Sequence, residues 1–260
     1  AVGIGTWRMG EVSNRANAEV AAIRAALDAG ITLVDTAEMY GEGGAERIVG
    51  EAIRGRRDDC YLVSKVLPSN ASRRGTIDAC QRSLERLRTD RIDCYLLHWA
   101  GRHPLAETIE AFEHLKQAGL IGSWGVSNFD LDQMQRLMAE PGGERCAVNQ
   151  VYYSLSERGI DYELHPWLEA RGIVTMAYCP LDQGELVRDP RLVPIAERLD
   201  VTPGQLALAW LVSHPDCWAV PMTTSVTRAA ENAAVRHLRL DEGTRQQLER
   251  LFPPPKYRTV

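Results

Sequence analysis

The chain has 260 residues, 45% of them hydrophobic and 25% charged. That is an ordinary composition for a globular protein, and the length is ample to bury a core without disulfide or metal staples. The formal net charge is −5 and the pI about 5.8. The arginines are scattered along polar helix faces with no basic block, which argues against nucleic acid and anionic membranes as partners. No apolar run approaches the roughly 20 residues of a membrane helix, and the opening residues do not read as a signal peptide. Cys60, Cys80, Cys94, Cys146, Cys179 and Cys217 show neither C-x-x-C pairs nor zinc spacing. They read as free thiols of a cytoplasmic protein, and no metal site is expected. The sequence opens at Ala1, so its first residue need not be the gene's first.

In chain order, "VGIGT" (2–6) is predicted as a strand, and "AEVAAIRAALDAG" as an amphipathic helix closed by Gly30. "ITLVD" (31–35) is the next strand and "AERIVGEAI" the next helix. "CYLVSKV" (60–66) is strand, and "SRRGTIDACQRSLERLRT" (72–89) is helix with Ser72 as its cap. "IDCYLLH" (92–98) precedes the helix "LAETIEAFEHLKQAG", again closed by a glycine, Gly119. "IGSWGVS" leads to "LDQMQRLMAE", and "AVNQV" to "YELHPWLEARG", which reads as mostly helix. "IVTMAY" (173–178) is followed by helices near 190–199 and 203–213. "CWAVPM" is the last strand, before the helices "TRAAENAAV" and "DEGTRQQLERLF".

Strands alternating with helices imply a parallel sheet covered by helices. Several strands are near-continuous apolar runs, as expected when both faces are buried. Eight such units predict one (β/α)8 (TIM) barrel domain over residues 1–260. The alternative is an open doubly wound sheet, which usually carries G-x-G-x-x-G after its first strand. Here "GIGTWRMG" runs into no immediate helix.

Active sites of such barrels sit at the C-terminal ends of the strands. There the second strand delivers Asp35, the third Lys65 and the fourth His98, and the loop after the second adds Tyr40. Singly, each has a plain reading. Asp35 serves as a cap or turn residue, Lys65 as a strand-end lysine reaching solvent, His98 as a core histidine, and Tyr40 as a packed aromatic. Random placement would rarely bring a cation, an anion, an imidazole and a phenol to adjacent strand ends. Together they suit proton donation. A tyrosine hydroxyl ordinarily ionises near pH 10, a neighbouring ammonium favours the phenolate and lowers that value, the aspartate holds the lysine charged, and the histidine binds the oxygen being protonated.

The segments "VDTAEMYG", "LVSKV", "LLHW", "WGVSNF", "NQVYY" and "YCPL" resemble, in order and over essentially the whole chain, the signature segments of the aldo-keto reductases, NAD(P)H-dependent enzymes on a (β/α)8 barrel. "GTWRMG", "SKVLPSNASRRG", "LLHWAGRHPLAET" and "FPPPK" are similar to bacterial members that reduce methylglyoxal and other small aldehydes. The resemblance implies that Tyr40 is the general acid and that Asp35, Lys65 and His98 complete its tetrad. It further implies that Ser127, Asn128 and Gln150 bind the nicotinamide carboxamide, and that Tyr178 stacks under the ring. The plain readings are a helix N-cap for Asn128 and a core aromatic for Tyr178. In "VPMTTSVTRAAENA", Pro221, Thr223, Ser225, Arg228, Glu231 and Asn232 match the family's segment for the adenosine end. A helix start with hydroxyls is also a natural anion site, and Arg228 suits a 2′-phosphate.

Two positions depart from the family. Met222 stands where a lysine is usual, so NADPH is expected as cofactor, with NADH possible. Cys179 replaces the usual serine, with little consequence expected. Trp7 and Trp99 are expected in the substrate pocket, with Met39 as a further apolar wall; core packing is the other reading of both tryptophans. The short "WAGRHPLAE" loop and the brief tail after Phe252 suit small or varied aldehydes better than steroids. The family's N-terminal hairpin, which plugs the barrel bottom, is not in the sequence, implying a late start or a more open bottom. By the resemblance a monomer is expected. Two other functions compete: a cofactor-binding regulatory module with little turnover, and a hydrolase with paired carboxylates. The hydrolase lacks an obvious second acid at a strand end.

Overall fold

A computed structural model describes residues 1–255; Lys256 of the "FPPPK" segment lies outside them. Among the described residues eight strands occur in chain order: β1 (Ile4–Gly5), β2 (Leu33–Asp35), β3 (Tyr61–Val66), β4 (Ile92–Leu97), β5 (Ile121–Ser127), β6 (Val148–Tyr152), β7 (Val174–Tyr178) and β8 (Cys217–Ala219). Each pairs in parallel with the next. The ends of the sheet also meet. Gly3 N–H donates to the Ala219 carbonyl (2.8 Å) and Gly5 N–H to that of Pro221 (3.0 Å), and Val2 and Gly5 bridge to Ala219 and Met222. The sheet is therefore a closed barrel, and the open-sheet alternative is excluded.

The helices are α1 (Ala16–Asp28), α2 (Gly44–Ala52), α3 (Arg73–Leu87), α4 (Leu105–Gln117), α5 (Leu131–Ala139), α6 (Leu164–Glu169), α7 (Glu185–Arg188), α8 (Val193–Arg198), α9 (Pro203–Val212), α10 (Val226–Ala234) and α11 (Glu242–Leu251). Their starts follow from capping chemistry. Ser72 accepts from Gly75 N–H at α3, and Asp130–Gln133 and Thr202–Gln205 form reciprocal capping boxes at α5 and α9. Gly30 and Gly119 take the left-handed conformation expected of helix-closing residues. One expectation was too long: α6 covers only six residues of "YELHPWLEARG". Pro166 has no N–H to continue an earlier turn and is tolerated only near a helix start. Gly172, at φ 65°, turns the chain into β7.

Alternation along the strands sorts the core into two parts. Leu62 and Val66 of β3, and Tyr95 and Leu97 of β4, face the helices. Val63, Cys94, Leu96, Val148, Met176 and Val220 fill the barrel. Continuing that inward parity to the C-terminal ends reaches Asp35, Lys65, Ser127, Gln150 and Tyr178, with His98 one residue past β4. The barrel's inner pattern thus sets polar residues as its top layer.

Candidate active site

Lys65 is fully buried. Its Nζ donates to Asp35 Oδ1 (2.8 Å), to the Thr36 carbonyl (2.8 Å) and to the Tyr40 hydroxyl (3.3 Å). The solvent-reaching lysine is thereby excluded. Burial lowers the lysine's pKa, but the Asp35 carboxylate and the Tyr40 hydroxyl more than offset this, and the net shift is upward. At Tyr40 burial acts the other way from Lys65 and dominates, so the phenol is net raised. This corrects the expectation of a lowered value: removing the phenolate from water costs more than the ammonium returns. The Tyr40 ring meets the His98 ring edge-on at 5.8 Å. His98 is pushed down to about 3 by burial and by the Lys65 charge, so it is neutral near pH 7. Its Nδ1 is buried and finds no hydrogen-bond partner among the described residues.

These residues floor a cleft of about 1160 Å³, above the usual range for a small-ligand pocket. Asp35, Tyr40, His98, Ser127, Asn128, Gln150 and Tyr178 line it at the barrel mouth. Pro221, Met222, Thr223, Arg228, Glu231 and Asn232 line it beyond β8. Lys65 lies beneath the lining. Ser225, between Thr223 and Arg228 in the chain, does not itself line the cleft; its hydroxyl oxygen caps α10 by accepting from Arg228 N–H (3.3 Å). Trp7, Trp99 and Met39 all line the cleft and are 37–39% exposed, so core packing is excluded for both tryptophans.

Asn128 does not cap α5, since Asp130 does. Instead its Nδ2 donates to the His98 carbonyl (3.1 Å), and its Oδ1 accepts from the Tyr178 hydroxyl (2.8 Å). Tyr178 is half-buried at the rim and stacks on Tyr152, with centroids 5.5 Å apart and planes 12° apart. Gln150 has a second task that the sequence does not signal: its Nε2 donates to Asp35 Oδ1 (2.8 Å). A smaller hollow of about 590 Å³ lies against the Tyr152–Tyr178 pair and contains none of Asp35, Tyr40, Lys65 and His98.

Arg8 is a further residue of the cleft. It lines the cleft at φ 68°, with its guanidinium 4.4 Å from the Trp7 ring centroid; nothing in the sequence separated it from the scattered surface arginines. Nine non-glycine residues among those described have positive φ. Six of them, Arg8, Glu42, Asn128, Cys179, Asp182 and Gln183, follow the C-terminal ends of strands. Backbone strain of this kind collects at functional sites. All six cysteines are unpaired. Among the described residues no group of three or more His, Cys, Asp or Glu is placed to hold a metal ion, and no helix is long and apolar enough to cross a membrane.

Comparison with known proteins agrees with this geometry. The family model described as the aldo/keto reductase family matches residues 1–252. Methylglyoxal reductase YeaE of Escherichia coli is 45% identical, over 100% of this chain and 93% of the relative. Methylglyoxal reductase DkgB of Salmonella typhi is 30% identical, over 93% and 88%. An aldo-keto reductase from Klebsiella pneumoniae in complex with NADPH superposes with a TM-score of 0.96 at 47% identity, over 100% of this chain and 93% of that one. With the family model and these relatives aligned over nearly all of its length, the chain belongs to the aldo/keto reductase family of oxidoreductases.

Proposed function

We propose that the protein reduces small aldehydes and ketones, such as methylglyoxal or aromatic aldehydes, to alcohols with NADPH, and that Tyr40 supplies the proton. The carrying observation is the Asp35–Lys65–Tyr40 chain of contacts, 2.8 and 3.3 Å, at the floor of a cleft roomy enough for a dinucleotide and a small carbonyl. Relatives named methylglyoxal reductases and the NADPH and NADP complexes of aldo-keto reductases from Klebsiella pneumoniae support the same reading.

The donor set fits a nicotinamide nucleotide. Gln150 Oε1, Ser127 and Asn128 suit a carboxamide, and the Tyr178 face suits a flat ring. Arg228 and Thr223 suit a 2′-phosphate, while Arg8 adds positive charge along the cleft. Bound there, the nucleotide supplies the hydride. Everything else falls to the chain. Tyr40, kept protonated by burial, gives its proton to the carbonyl oxygen as the C–O bond becomes single. Lys65 then stabilises the phenolate left behind, and Asp35 keeps Lys65 charged and aimed. His98, neutral at working pH, donates a hydrogen bond to the same oxygen without competing as an acid. Solvent returns the proton to Tyr40.

Met222, 40% exposed at the edge of the cleft, offers no charge to a 2′-phosphate, so NADH should be a usable if weaker cofactor. Trp7, Trp99 and Met39 make a short apolar wall suited to small substrates. The test is absorbance loss of NADPH and then NADH with methylglyoxal, an aromatic aldehyde panel and a bulky ketone. The reading expects turnover with NADPH and preference for the small aldehydes. A preferred bulky ketone would overturn the substrate class. Cofactor binding without any turnover would favour a regulatory module.

A further inference from the structure

We propose that Arg86 is a positioning residue for Tyr40, clamping both ends of the loop that carries it; the proposal rests on the reductase reading above. The chain between β2 and α2 passes through three successive left-handed residues, Gly41 (φ 55°), Glu42 (φ 51°) and Gly43 (φ 81°). Glu42 has a side chain and is disfavoured there, so the loop does not hold its shape by local preference. Something outside it must fix where Tyr40 stands.

Two carboxylates flank Tyr40, and both meet Arg86, in the last turn of α3. Glu38, two residues before Tyr40, accepts from Leu67 N–H (2.7 Å) and Asn70 Nδ2 (2.9 Å) through Oε1. Its Oε2 lies 4.0 Å from Arg86 Nη2. Glu46, six residues after Tyr40, is fully buried. Its Oε2 accepts from Arg86 Nε (2.5 Å), and its Oε1 from Ser64 Oγ (2.6 Å). The stem of Arg86 also fills the space at Gly43, where a Cβ would sit 2.6 Å from Arg86 Cδ. Ser64 directly precedes Lys65 in β3 and points to the opposite face. The Glu46–Ser64 bond therefore ties the far end of the Tyr40 loop to the strand that carries its lysine. The 3.3 Å Lys65–Tyr40 contact is held from behind by one guanidinium shared between two carboxylates. Removing it leaves the buried Glu46 with Ser64 Oγ as its hydrogen-bond partner and no ion-pair partner among the described residues, takes the cation from beside Glu38 Oε2, and so loosens the support behind the loop.

The test compares Arg86→Lys, Arg86→Met and Glu46→Gln with wild type and with Tyr40→Phe. Turnover is normalised to NADPH-binding sites, and solvent deuterium isotope effects on kcat are measured. Displacing the proton donor by a fraction of an ångström should lower kcat roughly 10- to 100-fold in Arg86→Met, with NADPH affinity and carbonyl KM changed less than about twofold. The solvent isotope effect should rise, because proton transfer becomes more limiting, and Arg86→Lys should recover part of the rate. Normalised kcat at the wild-type value, or a fall with an unchanged isotope effect, would make Arg86 merely structural and overturn the proposal. If Arg86→Met does not fold, Glu46→Gln, which keeps the side-chain volume, carries the same prediction. If Tyr40→Phe turns over normally, the reductase reading fails and the clamp with it. If Tyr40→Phe is inactive while the Arg86 and Glu46 variants are normal, the clamp alone fails.

Discussion

His98 should make the fold sensitive to mild acid, and replacing it with glutamine should remove that sensitivity. The imidazole is 6% exposed and is pushed from an ordinary 6.5 down to about 3 by burial and by the charge of Lys65. A group whose folded value lies below its unfolded value binds its proton only on unfolding across the interval between them. Stability is therefore fully present above pH 6.5 and is lost as pH falls towards 3. Between pH 7 and pH 5 the unfolded chain takes up most of one proton that the folded chain refuses, a cost of about 2 kcal/mol. His165 and His214, also lowered chiefly by burial, act in the same direction, so the comparison must be a difference. Urea unfolding of wild type and His98→Gln at both pH values measures it. The wild type should lose about 2 kcal/mol more than the variant. Equal losses would show that His98 titrates normally in the fold, and would remove the argument that it acts as a neutral donor.

Three further outcomes follow from the same geometry. Lys65→Met leaves the Asp35 carboxylate buried with Gln150 as its remaining side-chain partner, so it should cost about 3–5 kcal/mol in urea unfolding and roughly 10²- to 10⁴-fold in kcat. Met222→Lys should favour NADPH over NADH by up to about tenfold, on the order of 1.4 kcal/mol, in a ratio of kcat/KM values that shrinks at high salt because the site is partly exposed. Because burial raises the Tyr40 phenol above its ordinary 10.0, the alkaline limb of kcat/KM, which reports the free enzyme, should fall above that value; a limb in the neutral range would contradict the buried, protonated donor.

The barrel was legible because each unit carries its own local signals. Ser72, Gly30 and Gly119 cap or close helices as their chemistry predicts, and inward parity carries Asp35, Lys65, Ser127, Gln150 and Tyr178 to one rim. Asp35, Lys65 and His98 come together because they stand at the ends of neighbouring strands, and the loop after β2 brings Tyr40 to them. What pattern did not reveal depends on burial and on side-chain choice among nearby partners. The sign of the Tyr40 shift needed the depth of the hydroxyl as well as its neighbour's charge. Gln150 bonding to Asp35, and Asn128 to the His98 carbonyl and the Tyr178 hydroxyl, are long-range pairings without a sequence period. The second use of Ser225, whose oxygen caps α10, is likewise a local choice of partner. Arg86 lies 46 residues from Tyr40 in the chain, on a helix where one more arginine carries no signal.

The measurement that bears most directly on the account is NADPH consumption with methylglyoxal by wild type and by Tyr40→Phe, each shown to bind NADPH. The account predicts steady turnover by the wild type, and loss of nearly all of it in the variant with NADPH binding retained. Turnover by the variant at the wild-type rate would contradict Tyr40 as the proton donor and the site built around it.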